Sequence, residues 1–305
     1  MDQPKYIRVR NSQINYYKEI SLYTQTSPDS YCLYKQAGSY LSEQRMNQDR
    51  HPELFINEED RILAIKEIQN EFNRHLAESL DTGNAVKVKA TLCNLIEETL
   101  AEPRSGTLQV LPETVASLIT SYSDQPNILK TFASISFKDY TTVIHSVNVM
   151  ALTLGFCFFS NLTIQKTKKM GLGALLHDVG KTQIPSSILK APRKLSDVEF
   201  KIMQSHPSVG HEIIRENNKI GGDVPLGALE HHEKLDGSGY PKGIRNISYI
   251  GQMLGIIDCY EALTNEDRPY RRARNPLETL KFLKDDVLAG KFSRDIFEKF
   301  CYSLI

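Results

Sequence analysis

Five of the chain's eight histidines fall at His145, His177, His206, His231 and His232. Two of them come in pairs with another polar group: His177 precedes Asp178, and His231 precedes His232. A lone acid, Asp258, ends the apolar run Leu254-Gly255-Ile256-Ile257. Setting an imidazole and a carboxylate against Ala174-Leu175-Leu176 costs burial energy unless something pairs with them, and a bound cation does so. Mixed imidazole and carboxylate ligands suit iron, manganese or zinc. Seven ligands are too many for one tetrahedral ion, and they fit two ions if one carboxylate bridges. The expected arrangement puts His145, His177 and Asp258 on one ion and His206, His231 and His232 on the other, with Asp178 as the bridge. Two ions about 3.5–4 Å apart can clamp a phosphoryl group for in-line attack. The chemistry expected here is hydrolysis.

Three neighbouring features fit that chemistry. Lys181 lies three residues past Asp178 and is expected to act with it, stabilising a phosphate oxygen or holding the nucleophile. The stretch Asp236-Gly237-Ser238-Gly239-Tyr240-Pro241-Lys242-Gly243 begins four residues after the histidine pair. Its glycines and proline make a tight loop beside the metals, with Tyr240 either facing substrate or packing under the loop. Arg268, Arg271 and Arg272, shortly after Asp258, offer planar guanidinium forks suited to phosphate. His211 is five residues past His206 and so on a different helix face, and it is left out of the set.

The elements that must hold these residues read as helices from about residue 127 onward. Each candidate ligand adjoins an apolar segment: Val147, Met150, Ala151 and Leu154 after His145, Phe200, Ile202 and Met203 before His206, and Leu226, Ala228 and Leu229 before His231. Such segments predict rigid mounts for a metal's ligands. Upstream, Asn57 caps a helix whose first turn holds Glu58, Glu59 and Asp60. Ile62, Ile65, Ile68, Phe72, Leu76 and Leu80 mark its apolar face. Asp81-Thr82-Gly83 stops it. Further helices are predicted over Ala85 to Ala101 and Pro112 to Ser121. His75 is expected on a solvated surface. Residues 1–57 read as a small α/β module, with β-type runs at Tyr6-Ile7-Arg8-Val9-Arg10, Tyr31-Cys32-Leu33-Tyr34 and Leu54-Phe55-Ile56. The division expected is 1–57 regulatory or sensory module, 58–125 helical linker and 126–305 catalytic domain. The linker helices could also pair two copies of the chain.

Composition narrows the partners. The 37 basic and 37 acidic residues cancel, which argues against a polynucleotide-binding surface while leaving room for a small phosphate ligand. Five scattered cysteines, none in a CxxC, fit a reducing cytosol. The first residues carry no apolar core of a signal peptide. The most apolar stretch, Val147 to Phe159, is shorter than the roughly 20 residues of a membrane span and is expected to be a core helix. A cytoplasmic protein with no membrane span is the expectation.

With these residues in place, the chain resembles the HD-GYP family of HD-type metal-dependent phosphohydrolases. The resemblance rests on His145-Ser146-Val147-Asn148-Val149, on Leu175 through Lys181 with Ile184-Pro185, and on Ser205-His206-Pro207 with Gly210. It continues through His231-His232-Glu233 to Gly243, Ile257-Asp258, Ala262-Leu263-Thr264 and Arg268-Pro269-Tyr270, covering roughly residues 139 to 305 in family order. It implies a mainly α protein with an all-helical catalytic domain and a metal centre, often of iron or manganese. It implies hydrolysis of the bacterial second messenger cyclic di-GMP to linear pGpG and on to GMP. His145, His177, Asp178, His206, His231, His232 and Asp258 match the family's ligand positions, Lys181 matches its catalytic lysine, and Arg268 matches a phosphate contact. Members with a third metal carry a glutamate one turn before the first histidine. Here that residue is Thr141, so two divalent ions are expected, iron first and manganese as the alternative. Lys234-Leu235 stands where the family has Arg-Trp, Gly251-Gln252 where it has Ala-Arg, and one extra residue lies within Asn265-Glu266-Asp267. Two other functions fit the same residues: a receptor that binds cyclic dinucleotide and signals through a protein partner, and hydrolysis of another cyclic nucleotide such as cyclic GMP-AMP.

Overall fold

The computed structural model describes residues 5–9, 11–28, 30–41, 52–101, 103–104, 107–124, 141–217, 220–265 and 274–304. The N-terminal part is a four-stranded antiparallel sheet with β1 (Tyr6–Arg8), β2 (Leu22–Ser27), β3 (Ser30–Lys35) and β4 (Leu54–Asn57) in the order β1-β4-β2-β3. Its register pairs Ile7 with Ile56, Tyr23 with Phe55 and Thr24 with Cys32. β2 was not anticipated, because Leu22-Tyr-Thr-Gln-Thr-Ser is mostly polar and grows more exposed along its length. Cross-strand rings hold one sheet face: Tyr6 stacks on Tyr31 at 4.0 Å and Tyr31 meets Phe55 edge-on at 5.1 Å.

Three helices follow: α1 (Arg61–Asp81), α2 (Ala85–Ala101) and α3 (Leu111–Asp124). Asn57 caps the turn that opens α1, its side chain accepting from Glu59 N at 3.2 Å. The buried face of α1 runs through Ala64, Ile68, Phe72, Leu76 and Leu80. Ile62, expected on that face, is 57% exposed, since at about 100° per residue it points away from its neighbours Ala64 and Ile68 on the buried side. His75, expected in solvent, packs edge-on against Tyr16 at 5.7 Å.

The remaining described elements are helical. They comprise α4 (Thr142–Phe159), α5 (Ile164–Leu176), a 3-10 turn (Val179–Gln183), α6 (Ser186–Leu189), α7 (Asp197–Met203), α8 (His206–Arg215), α9 (Val224–Glu230), α10 (Tyr249–Thr264), α11 (Pro276–Leu288) and α12 (Arg294–Ser303). α4 packs on α5, α10, α12 and α2, and α5 packs on α9 and α3. α4 is long and apolar enough to cross a membrane, yet 67% of that stretch is buried inside the fold. Val147, Met150, Leu154, Phe156 and Cys157 are all at 0% exposure. A helix apolar on every side suits a central position among other helices. One continuous core joins the sheet side (Leu22, Leu54, Ile56) to the helical side (Leu176, Ile256, Phe300), passing through Leu92, Leu95 and Leu118.

Candidate metal centre

The ends of four helices and the middle of a fifth converge on one point. His145 sits in the first turn of α4. His177 is the residue after α5, and Asp178 opens the 179–183 turn. His206 begins α8, His231 and His232 follow the end of α9, and Asp258 lies mid-way along α10. His145, His177, Asp178, His206 and His231 are exposed by no more than 2%, while His232 and Asp258 are half-buried.

The seven side chains face one another. Asp178 Oδ2 lies 3.6 Å from His145 Nε2 and 3.4 Å from His177 Nε2. Its other oxygen, Oδ1, lies 3.3 Å from His206 Nε2 and 3.8 Å from His231 Nε2. Asp258 Oδ1 is 2.9 Å from His145 Nε2 and 4.0 Å from His177 Nε2. Ligand atoms within 4.8 Å of one another form the sets His206-His231-His232, His145-His177-Asp178 and His177-His231-Asp258. One carboxylate therefore turns an oxygen toward each imidazole set, which is the arrangement expected for Asp178.

The outer ring nitrogens decide which way the inner ones point. His177 Nδ1 bonds the Ala174 carbonyl at 2.7 Å, His206 Nδ1 the Met203 carbonyl at 2.7 Å, and His231 Nδ1 the Ala228 carbonyl at 2.9 Å. A carbonyl only accepts, so each Nδ1 carries the proton and each Nε2 presents a lone pair inward. His145 Nδ1 bonds the carboxylate of Glu261 at 2.5 Å. Glu261 also accepts from Asn148 Nδ2 at 2.7 Å and Asn265 Nδ2 at 2.8 Å. Neither Glu261 nor Asn148 was singled out from the sequence. Both are one helical turn from a proposed ligand, Glu261 after Asp258 and Asn148 after His145, and both are polar residues in apolar helices. That spacing is the signal that could have found them.

Inside the cluster, imidazole nitrogens crowd one another. His177 Nε2 approaches His145 Nε2 at 3.2 Å, and His206 Nε2 approaches His231 Nε2 at 3.4 Å. Buried Asp178 Oδ1 has no hydrogen-bond partner. Imidazole nitrogens and a carboxylate oxygen crowded together in a buried space suit a cation. The donor set, imidazole with carboxylate, fits a divalent metal.

Charge states agree. Burial opposes ionisation of Asp178, but Lys181 and His177 outweigh it and hold the carboxyl well below its usual range. Burial likewise opposes Asp258, and His145 beside it more than compensates. Burial pushes His232 down to about 3, and burial with the neighbouring imidazoles holds His231 well below its ordinary value. Burial also works against charge on His145, yet Glu261 and Asp258 raise it to about 9. Ionised carboxylates and neutral imidazoles are the forms a metal binds, so His145 would have to give up a proton.

Lys181 Nζ lies 2.5 Å from Asp178 Oδ2. Gly180 beside it lets the 179–183 turn lie directly on the first turns of α8: a Cβ there would meet the His206 carbonyl oxygen at 2.0 Å and Gly210 N at 2.6 Å. The glycine-rich loop is fastened by Glu233, whose carboxylate accepts from Lys242 N at 2.7 Å and Ile244 N at 3.1 Å. A Cβ on Gly239 would lie 2.4 Å from Lys234 N, so only glycine lets the loop fold back on the histidine pair. Tyr240 then stacks on His232, centroids 4.6 Å apart. Burial raises its hydroxyl pKa. Lys234 lays its amine 3.8 Å over the Phe292 ring. Thr141 spends its side-chain oxygen on the α4 cap, accepting from Ile144 N at 3.3 Å. Arg268, Arg271 and Arg272 lie outside the described residues.

One expectation fails here. Phe200 and Ile202, read as core before His206, are 47% and 39% exposed. α7 has no buried residue and is held by local devices instead.

Comparison with known proteins gives a consistent picture. Residues 124–296 match the family model described as HD domain. A cyclic di-GMP phosphodiesterase of Pseudomonas aeruginosa is 33% identical over 188 residues, which is 61% of this chain and 45% of that protein. A 3′3′-cGAMP-specific phosphodiesterase of Vibrio cholerae is 31% identical over 164 residues, 53% of this chain and 37% of that protein. The chain thus spans about half the length of such relatives or less. A solved HDG"Y"P protein from Bdellovibrio bacteriovorus superposes with a TM-score of 0.64 at 19% identity, over 97% of this chain and 98% of that one. That likeness is one of fold.

Proposed function

The chain belongs to the HD domain family, and from that premise we propose that it hydrolyses cyclic di-GMP at a centre of two divalent ions. The observation that carries this reading is Asp178, which turns one oxygen to each imidazole set and its Oδ2 to Lys181. His145, His177 and Asp258 would hold one ion and His206, His231 and His232 the other, with Asp178 shared. Iron is the first choice and manganese the alternative, on the donor set. Such a pair supplies Lewis acidity and a nucleophile at neutral pH.

The chain's own groups do the rest. Water adds to phosphorus, the P–O3′ bond breaks, and the departing 3′ oxygen takes up a proton, leaving linear pGpG and, after a second cycle, GMP. Lys181 faces the site and offsets negative charge developing on the phosphoryl oxygens. Tyr240, held on His232, lines the approach. Arg268, Arg271 and Arg272 are assigned to the remaining phosphate contacts. The division into an N-terminal module, a helical linker and a catalytic domain, a homodimer through the linker and a cytoplasmic location belong to the same proposal. The similarity to a 3′3′-cGAMP-specific phosphodiesterase supports a second substrate of the same class.

The test uses protein purified without oxygen. Metal per chain is measured, and cyclic di-GMP and 3′3′-cGAMP are followed by chromatography with wild type and with His177→Ala, Asp178→Ala. Turnover by wild type and none by the double variant is expected. Metal-replete wild type that binds cyclic di-GMP without cleaving it would make the protein a receptor and sink the enzyme reading.

A further inference from the structure

α7 exposes more apolar surface than a helix of seven residues needs. Val198 is 70% exposed, Phe200 47% and Ile202 39%. The helix does not depend on packing for its form. Ser196 and Glu199 close a capping box, with Ser196 N donating to Glu199 at 2.8 Å and Glu199 N to Ser196 at 3.3 Å. Arg193 grips the same Glu199 through two bonds of 2.7 Å. The C-terminal end of α7 supplies the Met203 carbonyl that orients His206. One short, locally braced helix therefore aims a proposed metal ligand and presents a phenylalanine to solvent a turn earlier.

That ring is continuous with the site. Phe200 meets Tyr240 edge-on at 6.3 Å, Tyr240 stacks on His232, and Tyr240 meets His206 edge-on at 6.5 Å. Tyr240 has one face occupied by His232. Among the described residues, Phe200 is the one exposed large aromatic in ring contact with a residue of the site. A nucleotide with its phosphate on the histidines would extend its sugar and base outward, and Phe200 lies one ring beyond Tyr240 at the edge of the histidine cluster. We infer that Phe200 stacks a purine base of the cyclic dinucleotide, and that α7 serves as the base-binding wall of the active site. The inference rests on the cyclic dinucleotide reading above and adds to it the group that holds the base.

The test compares wild type with Phe200→Ala, Phe200→Leu and Phe200→Trp, all metal-loaded. KM is measured for cyclic di-GMP and 3′3′-cGAMP. Titration calorimetry measures binding of GMP, which has a base, and of inorganic phosphate, which has none. Metal per chain is measured for each protein. A base stacked on an aromatic side chain contributes about 1–3 kcal/mol, which is roughly 5- to 150-fold in affinity. Phe200→Ala and Phe200→Leu are expected to raise KM and weaken GMP by about 5-fold or more, with phosphate binding and metal content within 2-fold of wild type. Phe200→Trp is expected to restore both. Unchanged KM in Phe200→Ala overturns the inference. So does full rescue by leucine, which makes the contact generic apolar packing, and so does an equal loss of phosphate or metal, which makes Phe200 a support for His206. Wild type that turns over neither dinucleotide refutes the functional proposal itself, and this inference with it. That result is distinct, because it appears in the unaltered protein.

Discussion

Replacing Glu261 by glutamine separates a residue that tunes the metal centre from one that only fills space. Three donors converge on this carboxylate: His145 Nδ1 at 2.5 Å, Asn148 Nδ2 at 2.7 Å and Asn265 Nδ2 at 2.8 Å. Glutamine keeps the shape but offers one acceptor oxygen. Its amide NH2 must then face either His145 or the two asparagines, donor against donor. In either arrangement the ring of His145 loses the charged partner that aims its Nε2 at Asp258, 2.9 Å away. Removing such an orienting partner costs about 10- to 100-fold in metal affinity, or about 1.4–2.7 kcal/mol. His145 is assigned to one ion, so the loss should be one-sided. Under stepwise dialysis against chelator, Glu261→Gln should give up one ion per chain at a concentration where wild type keeps both. The other ion, on His206, His231 and His232, should be retained. Asn148→Ala is the control: it removes a donor but leaves the His145–Glu261 bond, and it should hold both ions. The readout is metal per chain by mass spectrometry, with a melting curve to show that each variant is folded. Glu261→Gln binding both ions within 2-fold of wild type, or losing both in parallel, would refute the reasoning.

Three further predictions follow from the same geometry. Lys181→Ala should lower kcat by about 10²–10³-fold, the cost of one preorganised group facing developing charge, while metal per chain stays at the wild-type value; a matching loss of metal would make Lys181 a structural partner of Asp178. Gly180→Ala should be poorly tolerated, because its Cβ would sit 2.0 Å from the His206 carbonyl oxygen; overpacking of this kind costs about 1–3 kcal/mol, read as a lower melting temperature together with weaker metal binding. Glu199 should titrate low: Arg193 and the Ser196 cap pull its carboxyl down to about 2 from an ordinary 4.5. A depressed carboxylate pKa means its contribution to α7 is complete above about 4.5 and is lost as pH falls toward 2. Carboxyl carbon shifts followed by NMR give the value directly, and a midpoint near 4.5 would show that the Arg193–Glu199 grip does not persist in solution.

The clustered residues were legible because their types are rare and because burying them without a cation is expensive. His177-Asp178 beside Ala174-Leu175-Leu176 states that problem in five residues, and the structure adds its most explicit form, an inward Asp178 oxygen with no donor. The proposal that Asp178 bridges could be argued from ligand count alone. The residues that orient the ligands were not legible to the same degree. Ala174, Met203 and Ala228 act through backbone carbonyls, and every residue has a carbonyl. Their role depends on where a helix ends, which composition does not reveal. Glu261 is different, since an acid one turn past Asp258 in an apolar helix is a visible anomaly.

The misjudged apolar residues share one physical cause. Hydrophobic periodicity reports that a face is apolar, not that another element covers it. Ile62 keeps the three-residue spacing to Ile65 but points away from the side that Ala64 and Ile68 bury. Phe200 and Ile202 precede a ligand, as Leu226 and Leu229 do, yet α7 is fixed by Ser196, Glu199 and Arg193 and needs no buried face. α4 is the opposite case: every side is apolar, and the surrounding α2, α5, α10 and α12 cover it. Whether an apolar residue is core is thus settled by what stabilises its helix. A helix braced by its own polar side chains is free to spend its apolar ones on a ligand, and that freedom is what the Phe200 substitutions test.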